Sequence, residues 1–146
     1  MTLIDVNVLV YAHREDAPGH AAYAAWLQDT LQSVTPFGIA DIVLSGFLRV
    51  VTHPRVFSVP TPMPIAVAFA RGLREQPNCV VVAPGARHWD IFINLCDAAA
   101  VKGNLVADAY LAALAIESGC EWVTTDRDHS RFPGLRWRHP TQAGPR

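Results

Sequence analysis

At 146 residues the chain has the length of one domain, and a fold of that size buries about 68–70% of the surface its unfolded chain exposes. Half of the residues are hydrophobic, yet no unbroken apolar stretch approaches the ~18 residues that a membrane span needs. A formal net charge of −1 excludes nucleic-acid binding through bulk charge, so any such role falls to local arginine clusters.

Cys79, Cys96 and Cys120 are odd in number and lack CxxC spacing, which reads as reduced, buried thiols. Met1 leads straight into an apolar run, with neither a basic segment nor a small-residue cleavage site. The expectation is therefore a cytoplasmic protein without a secretory leader.

The first element, Leu3 to Tyr11, is an apolar run broken by one acid and one amide, Asp5 and Asn7. It reads as a central parallel strand covered on both faces. An unpaired charge buried there costs several kcal/mol, on the order of what a stranded ion costs. Asp5 is therefore expected at the carboxyl end of the strand, where open α/β sheets bind ligands. A helix follows to about Leu31, with Asp16 as its expected N-cap, Pro18 in its first turn, and Tyr23, Trp26 and Leu27 on one face. Thr35 to Gly38 breaks it and leads into a second helix near Asp41, which His53-Pro54 must end.

Pro60, Pro62 and Pro64 form a stiff elbow before a third helix, about Ile65 to Glu75. The β-branched run Cys79 to Ala83 reads as a buried strand. A fourth helix is expected over about Arg87 to Val101 and a fifth from Leu105 to about Ser118, stopped by Gly119. Glu121 to Thr125 reads as a strand, Asp126 to Pro133 as a polar loop and Leu135 to Arg138 as a short last strand, with 141–146 a frayed tail. Strands alternating with helices predict one α/β domain over 1–140, its parallel sheet of four to five strands flanked by helices on both faces.

Four acids stand where such a sheet converges: Asp5, Asp126 after the Trp122–Thr125 run, Asp108 in a nearly all-apolar helix, and Asp41 at a helix start. Gathered carboxylates repel unless a cation sits among them, and hard oxygen ligands select Mg²⁺ or Mn²⁺ over zinc. Local readings compete: an N-cap for Asp41, an Asx turn for Asp126, a first-turn acid for Asp108. Asp5 alone has no local capping role if it sits within a strand. The six histidines are scattered without metal-ligand spacing and read as surface or capping residues.

Ile4-Asp5-Val6-Asn7 resembles the opening motif of PIN-domain nucleases, and Phe47 to Phe57 resembles a segment of VapC-type toxins from bacterial toxin–antitoxin pairs. Asp108 to Ala115 and Val123 to Asp128 are similar to the third and fourth acidic motifs of that family, in order and at family-like spacing. One position departs: the glutamate usual three residues before Arg49 is Gly46 here, and Asp41 is the acid expected to replace it.

The resemblance implies a Mg²⁺-dependent endoribonuclease, with Mn²⁺ able to substitute, that cleaves RNA by in-line attack of activated water. Asp5, Asp108 and Asp126 are then the catalytic metal ligands, with Asp41 joining them. Asn7, Thr124, Thr125 and Asp128 support the ligands or meet substrate, and Arg49, Arg55, Arg127 and Arg131 are phosphate contacts. The implied partners are RNA, a cognate antitoxin and a second copy of the chain. The competing functions are an inactive PIN-like binding module, which Gly46 favours, and a haloacid-dehalogenase-like phosphatase with Asp5 as nucleophile, which Asn7 disfavours.

Overall fold

The structure, a computed structural model, describes residues 1–142. Strand β1 (Thr2–Ile4) is followed by α1 (Val6–His13), α2 (His20–Gln32), β2 (Phe37–Ile39), α3 (Asp41–Val51) and α4 (Met63–Arg74). Then come β3 (Cys79–Val81), α5 (His88–Ala98), α6 (Leu105–Ser118), β4 (Glu121–Val123), a 3₁₀ turn over Arg127–Arg131, and β5 (Trp137–Arg138). The five strands are all parallel, in the order β3-β2-β1-β4-β5. The chain winds outward from β1 to β3, then returns to lay β4 on the other side of β1. Crossovers that run in opposite directions from β1 put helices on both faces, given the usual right-handed connection of parallel strands.

The first element departs from expectation. The strand stops at Ile4, and from Val6 the same apolar run is helical, burying Val8, Leu9, Val10 and Ala12. Asp5 itself makes the change: its backbone is extended (φ −78°, ψ 159°) and its side chain accepts the Val6 N–H, capping α1. A short apolar run buried on every side carries no periodicity that separates strand from helix. Asp16 likewise does not cap α2; Gly19 does, in the left-handed region at φ 74°, while Asp16 binds the Arg14 guanidinium at 2.6 Å.

A further strand, β2, lies where only a breaker was expected. Phe37, Gly38 and Ile39 are buried between β1 and β3, and Gly38 is needed for close approach. A Cβ there would meet Val82 at 3.0 Å, Leu3 at 3.1 Å and the Thr2 carbonyl at 3.3 Å. Expected as buried, β3 is instead an edge with Val80 and Val81 exposed. Pro64 falls in the first turn of α4, and Gly119 ends α6 at φ 69°, as expected.

The main core joins Leu3, Ile4, Trp122 and Val123 of the central strands to α1, Phe47 of α3 and Leu73 of α4. A smaller cluster packs Leu95 of α5 and Ala109, Ala112 and Ala113 of α6 with Phe132. Cys120 is buried, Cys79 and Cys96 are half-buried, and all three are free thiols. Thr141 and Gln142 turn back on His139, while 143–146 of the expected frayed tail lie outside the described residues. No helix among the described residues is long and apolar enough to cross a membrane.

Candidate metal centre

Strand order reverses between β1 and β4, so loops leaving their carboxyl ends diverge to opposite faces and open a crevice. Asp5 leaves β1 at this point, anchored by its N–H to the Val123 carbonyl at 3.0 Å, and Thr124 to Asp126 leave β4 beside it. From α6, Asp108 projects toward the same place. The three acids share a cleft of about 680 Å³ with Asn7, Arg49, Phe57 and Leu111. One lip of this cleft, Asp16 to Pro18, is tied to the proline elbow by Arg14. Its guanidinium donates to the Val59 carbonyl at 2.8 Å and covers the Phe57 ring at 4.1 Å.

A hydrogen-bond web fixes the acids. Asp5 Oδ1 accepts the Val6 N–H at 2.7 Å, and Oδ2 accepts the Thr124 hydroxyl at 2.7 Å. Asn7 Nδ2 reaches Asp5 Oδ2 at 3.3 Å and Thr124 Oγ1 at 3.4 Å, while Asn7 Oδ1 receives the Thr125 N–H at 3.3 Å. Thr124 Oγ1 also accepts the Asp126 N–H at 3.0 Å, so one hydroxyl positions two acids. Asp126 Oδ1 accepts the Asp128 N–H at 2.9 Å. Asp126 thus does form the local turn that competed with a site role, as Asp5 forms a cap. In each case Oδ1 does the local work; Asp5 Oδ2 is held by Thr124 and Asn7, and both acids line the cleft.

Electrostatics make the cluster costly as it stands. Burial pushes Asp5 up to about 6, partly opposed by the Thr124 and Val6 hydrogen bonds and reinforced by Asp108 and Asp126. Asp108 is raised too, by burial first and then by the charges of Asp126 and Asp128. Two carboxylates that resist ionising, crowded by a third, are what a divalent cation would relieve, and the oxygen donors fit a hard ion.

The structure also brings in a residue that sequence reasoning passed over. His129 is 1% exposed, and its Nε2 lies 3.8 Å from both Asp5 Oδ2 and Asp108 Oδ1. Donor atoms of Asp108, Asp126 and His129 lie within 4.8 Å of one another. Burial lowers the imidazole pKa, against the pull of Asp126 and Asp128. The signal was the spacing Asp126-x-x-His129: in a 3₁₀ turn, residues three apart stand on one side.

Asp41 is not brought to the cluster. It lies in the first turn of α3, exposed, with Oδ1 2.9 Å from Arg74 Nε, outside the cleft that holds the other three acids. The expected replacement at Gly46 is corrected on that ground. Gly46 presses against α1, where a Cβ would come 2.9 Å from Val6 Cγ2. Arg49 lines the cleft; Arg55 and Arg127 are exposed beyond it, and Arg131 turns back to Asp128 at 3.4 Å. Phe47 of α3 is core, and Tyr23 and Trp26 of α2 are half-buried against it.

The sequence profile of the PIN domain matches residues 2–135. The chain belongs to the PIN-domain family. This PIN domain is 45% identical over 140 residues to VapC ribonuclease Mb2897 of Mycobacterium bovis, covering 96% of this chain and 95% of that one. It is 41% identical to ribonuclease VapC25 of Mycobacterium tuberculosis, covering 96% and 99%. Its fold superposes on VapBC2 from Rickettsia felis, solved bound to a promoter DNA fragment, with a TM-score of 0.71 at 18% identity, covering 94% and 97%.

Proposed function

We propose that this PIN domain is a metal-dependent endoribonuclease, the toxin of a toxin–antitoxin pair. The observation that carries the reading is the convergence of Asp5, Asp108 and Asp126 at the switch point of the sheet. Relatives named VapC ribonucleases, similar over nearly the whole chain, supply the reaction class.

Asp5, Asp108 and Asp126 would hold the cation, Mg²⁺ or Mn²⁺, which would supply activation of water and neutralisation of charge on the scissile phosphate. Thr124 and the Val6 N–H keep Asp5 aimed, and Thr124 also holds the Asp126 backbone. Asn7 braces Asp5 against Thr124 and the Thr125 backbone. The side chain of Asp128 accepts from Arg131, leaving its backbone N–H as its contribution to the site. Arg49 meets the phosphate backbone at the wall of the cleft, where an acidic floor would otherwise repel RNA. An antitoxin and a second copy of the chain are the remaining partners in this reading.

Purified protein incubated with RNA and with a phosphomonoester, before and after exhaustive chelation, tests it. RNA cleavage that stops on chelation, returns with Mg²⁺ or Mn²⁺, and is absent from Asp108→Asn is expected. Cleavage of the monoester alone would replace the nuclease with a phosphatase, and no cleavage under any condition would favour the inactive binding module.

A further inference from the structure

His129 enters the acidic cluster from the 3₁₀ turn, and its side chain makes no hydrogen bond there among the described residues. Its Nδ1 is buried without a partner, and its Nε2 faces Asp5 and Asp108 at 3.8 Å, beyond hydrogen-bond reach. Neither tautomer of the ring satisfies Nδ1, so what distinguishes them is what Nε2 meets. An Nε2–H would point at two carboxylates too distant to accept it, whereas a bare Nε2 presents a lone pair to the space between them.

We propose that His129 Nε2 is the fourth ligand of the centre, standing in for the acid absent at Gly46, and that this nitrogen makes the centre favour Mn²⁺ over Mg²⁺. The proposal rests on the metal-site reading above and specifies its donor set. An ion with ligands at ~2.1 Å holds its donors up to ~4.2 Å apart, so separations of 3.8 Å fit a shared cation. The wider limit of 4.8 Å for the Asp108, Asp126 and His129 set closes with side-chain shifts of a few tenths of an ångström.

No acid on α3 supplies a fourth ligand. Position 46 carries no side chain, a Cβ there would come 2.9 Å from Val6 Cγ2 and displace it, and Asp41 is held by Arg74. Selectivity follows from ligand chemistry. Mg²⁺ keeps to oxygen donors and near-ideal octahedral geometry, while Mn²⁺, at the weak end of the first-row affinity order for nitrogen, oxygen and sulfur sites, takes carboxylates and gains from one nitrogen where Mg²⁺ does not.

Pulsed electron paramagnetic resonance on the full chain loaded with Mn²⁺ reads the ligand directly and needs no variant to fold. The expected spectrum shows coupling to a directly bound nitrogen that changes isotope pattern when histidine is ¹⁵N-labelled and disappears in His129→Gln. Calorimetric titration of the same variant should show Mn²⁺ affinity reduced about 10-fold or more, on the scale of ligand-support losses, with Mg²⁺ affinity much less affected. Mn²⁺ bound without nitrogen coupling, or with coupling that survives in His129→Gln, overturns the proposal and leaves the three-acid site standing. Absence of any Mn²⁺ binding overturns both.

Discussion

Two segments flank Asp5 at the carboxyl edge of the sheet, and they treat it differently. On the β4 side, Thr124 to His129 offers a hydroxyl, a carboxylate and an imidazole, and every one of them is aimed at the cleft or at another acid. On the α3 side, Asp41 to Phe47 offers an apolar seam, and Arg49 beyond it lines the cleft. Gly46 lies against Val6, Val43 and Phe47 are core, and the one acid is turned away to Arg74. The polar work of the site has therefore been moved to one flank, while the other holds α1 in place. A missing ligand in a family pattern need not mean a missing function when the opposite wall is rich in donors.

Breaking the donor-rich flank and its anchor gives the largest effect. Asp5→Asn should cut RNA cleavage by at least about 100-fold while circular dichroism stays unchanged, because asparagine caps helices about as well as aspartate. Normal cleavage by a folded variant would remove Asp5 from the site.

Forcing an acid into the apolar flank is the next test. Gly46→Glu should not tighten metal binding, and should destabilise the fold by about 1–3 kcal/mol, the usual cost of overpacking a seam. Denaturant unfolding with a metal titration checks both halves. A variant that binds the cation more tightly at no cost in stability would show that the seam was open after all.

The burden of the buried acid sets a pH dependence. Asp5 rises from an ordinary 3.8 to about 6 in the fold, so the folded chain holds that proton more tightly than the unfolded one. The contribution of Asp5 to metal-free stability is therefore fully present below about pH 4 and is lost as pH rises through about 6, by about 3 kcal/mol at most for such a shift. Bound cation should offset that loss, so the gap in Tm between metal-loaded and chelated protein should widen from pH 5 to pH 8. An equal gap at both values would contradict the burial of a repelled carboxylate.

The smallest effect belongs to Asp41. Asp41→Asn should leave the Mg²⁺ concentration for half-maximal cleavage unchanged and cost under about 1 kcal/mol, as expected from an exposed pair with Arg74. A tenfold rise in that concentration would restore Asp41 to the site.

What could be read in the sequence follows from where local chemistry decides. α6 and its glycine stop, the parallel alternation and the three converging acids were legible, because each rests on a strong local signal: an unbroken apolar helix, an αL glycine, an acid after a strand. The helical nature of Val6 to His13 was not, since a run apolar at nearly every position shows no amphipathic period and only the Asp5 cap distinguishes it. Strand β2 was hidden by Pro36 and Gly38, whose tertiary roles resemble breakers in one dimension. His129 escaped notice because metal-ligand spacing was sought among histidines and cysteines, while its partners are aspartates from three separate elements.

The central claim, that Asp5, Asp108 and Asp126 form one cation site at the switch point, is tested most directly by calorimetric titration of Mn²⁺ into the wild-type chain, Asp108→Asn and Asp41→Asn. A saturable site in the wild type that is lost in Asp108→Asn and kept in Asp41→Asn is the predicted result. Binding by Asp108→Asn as tight as that of the wild type would contradict it.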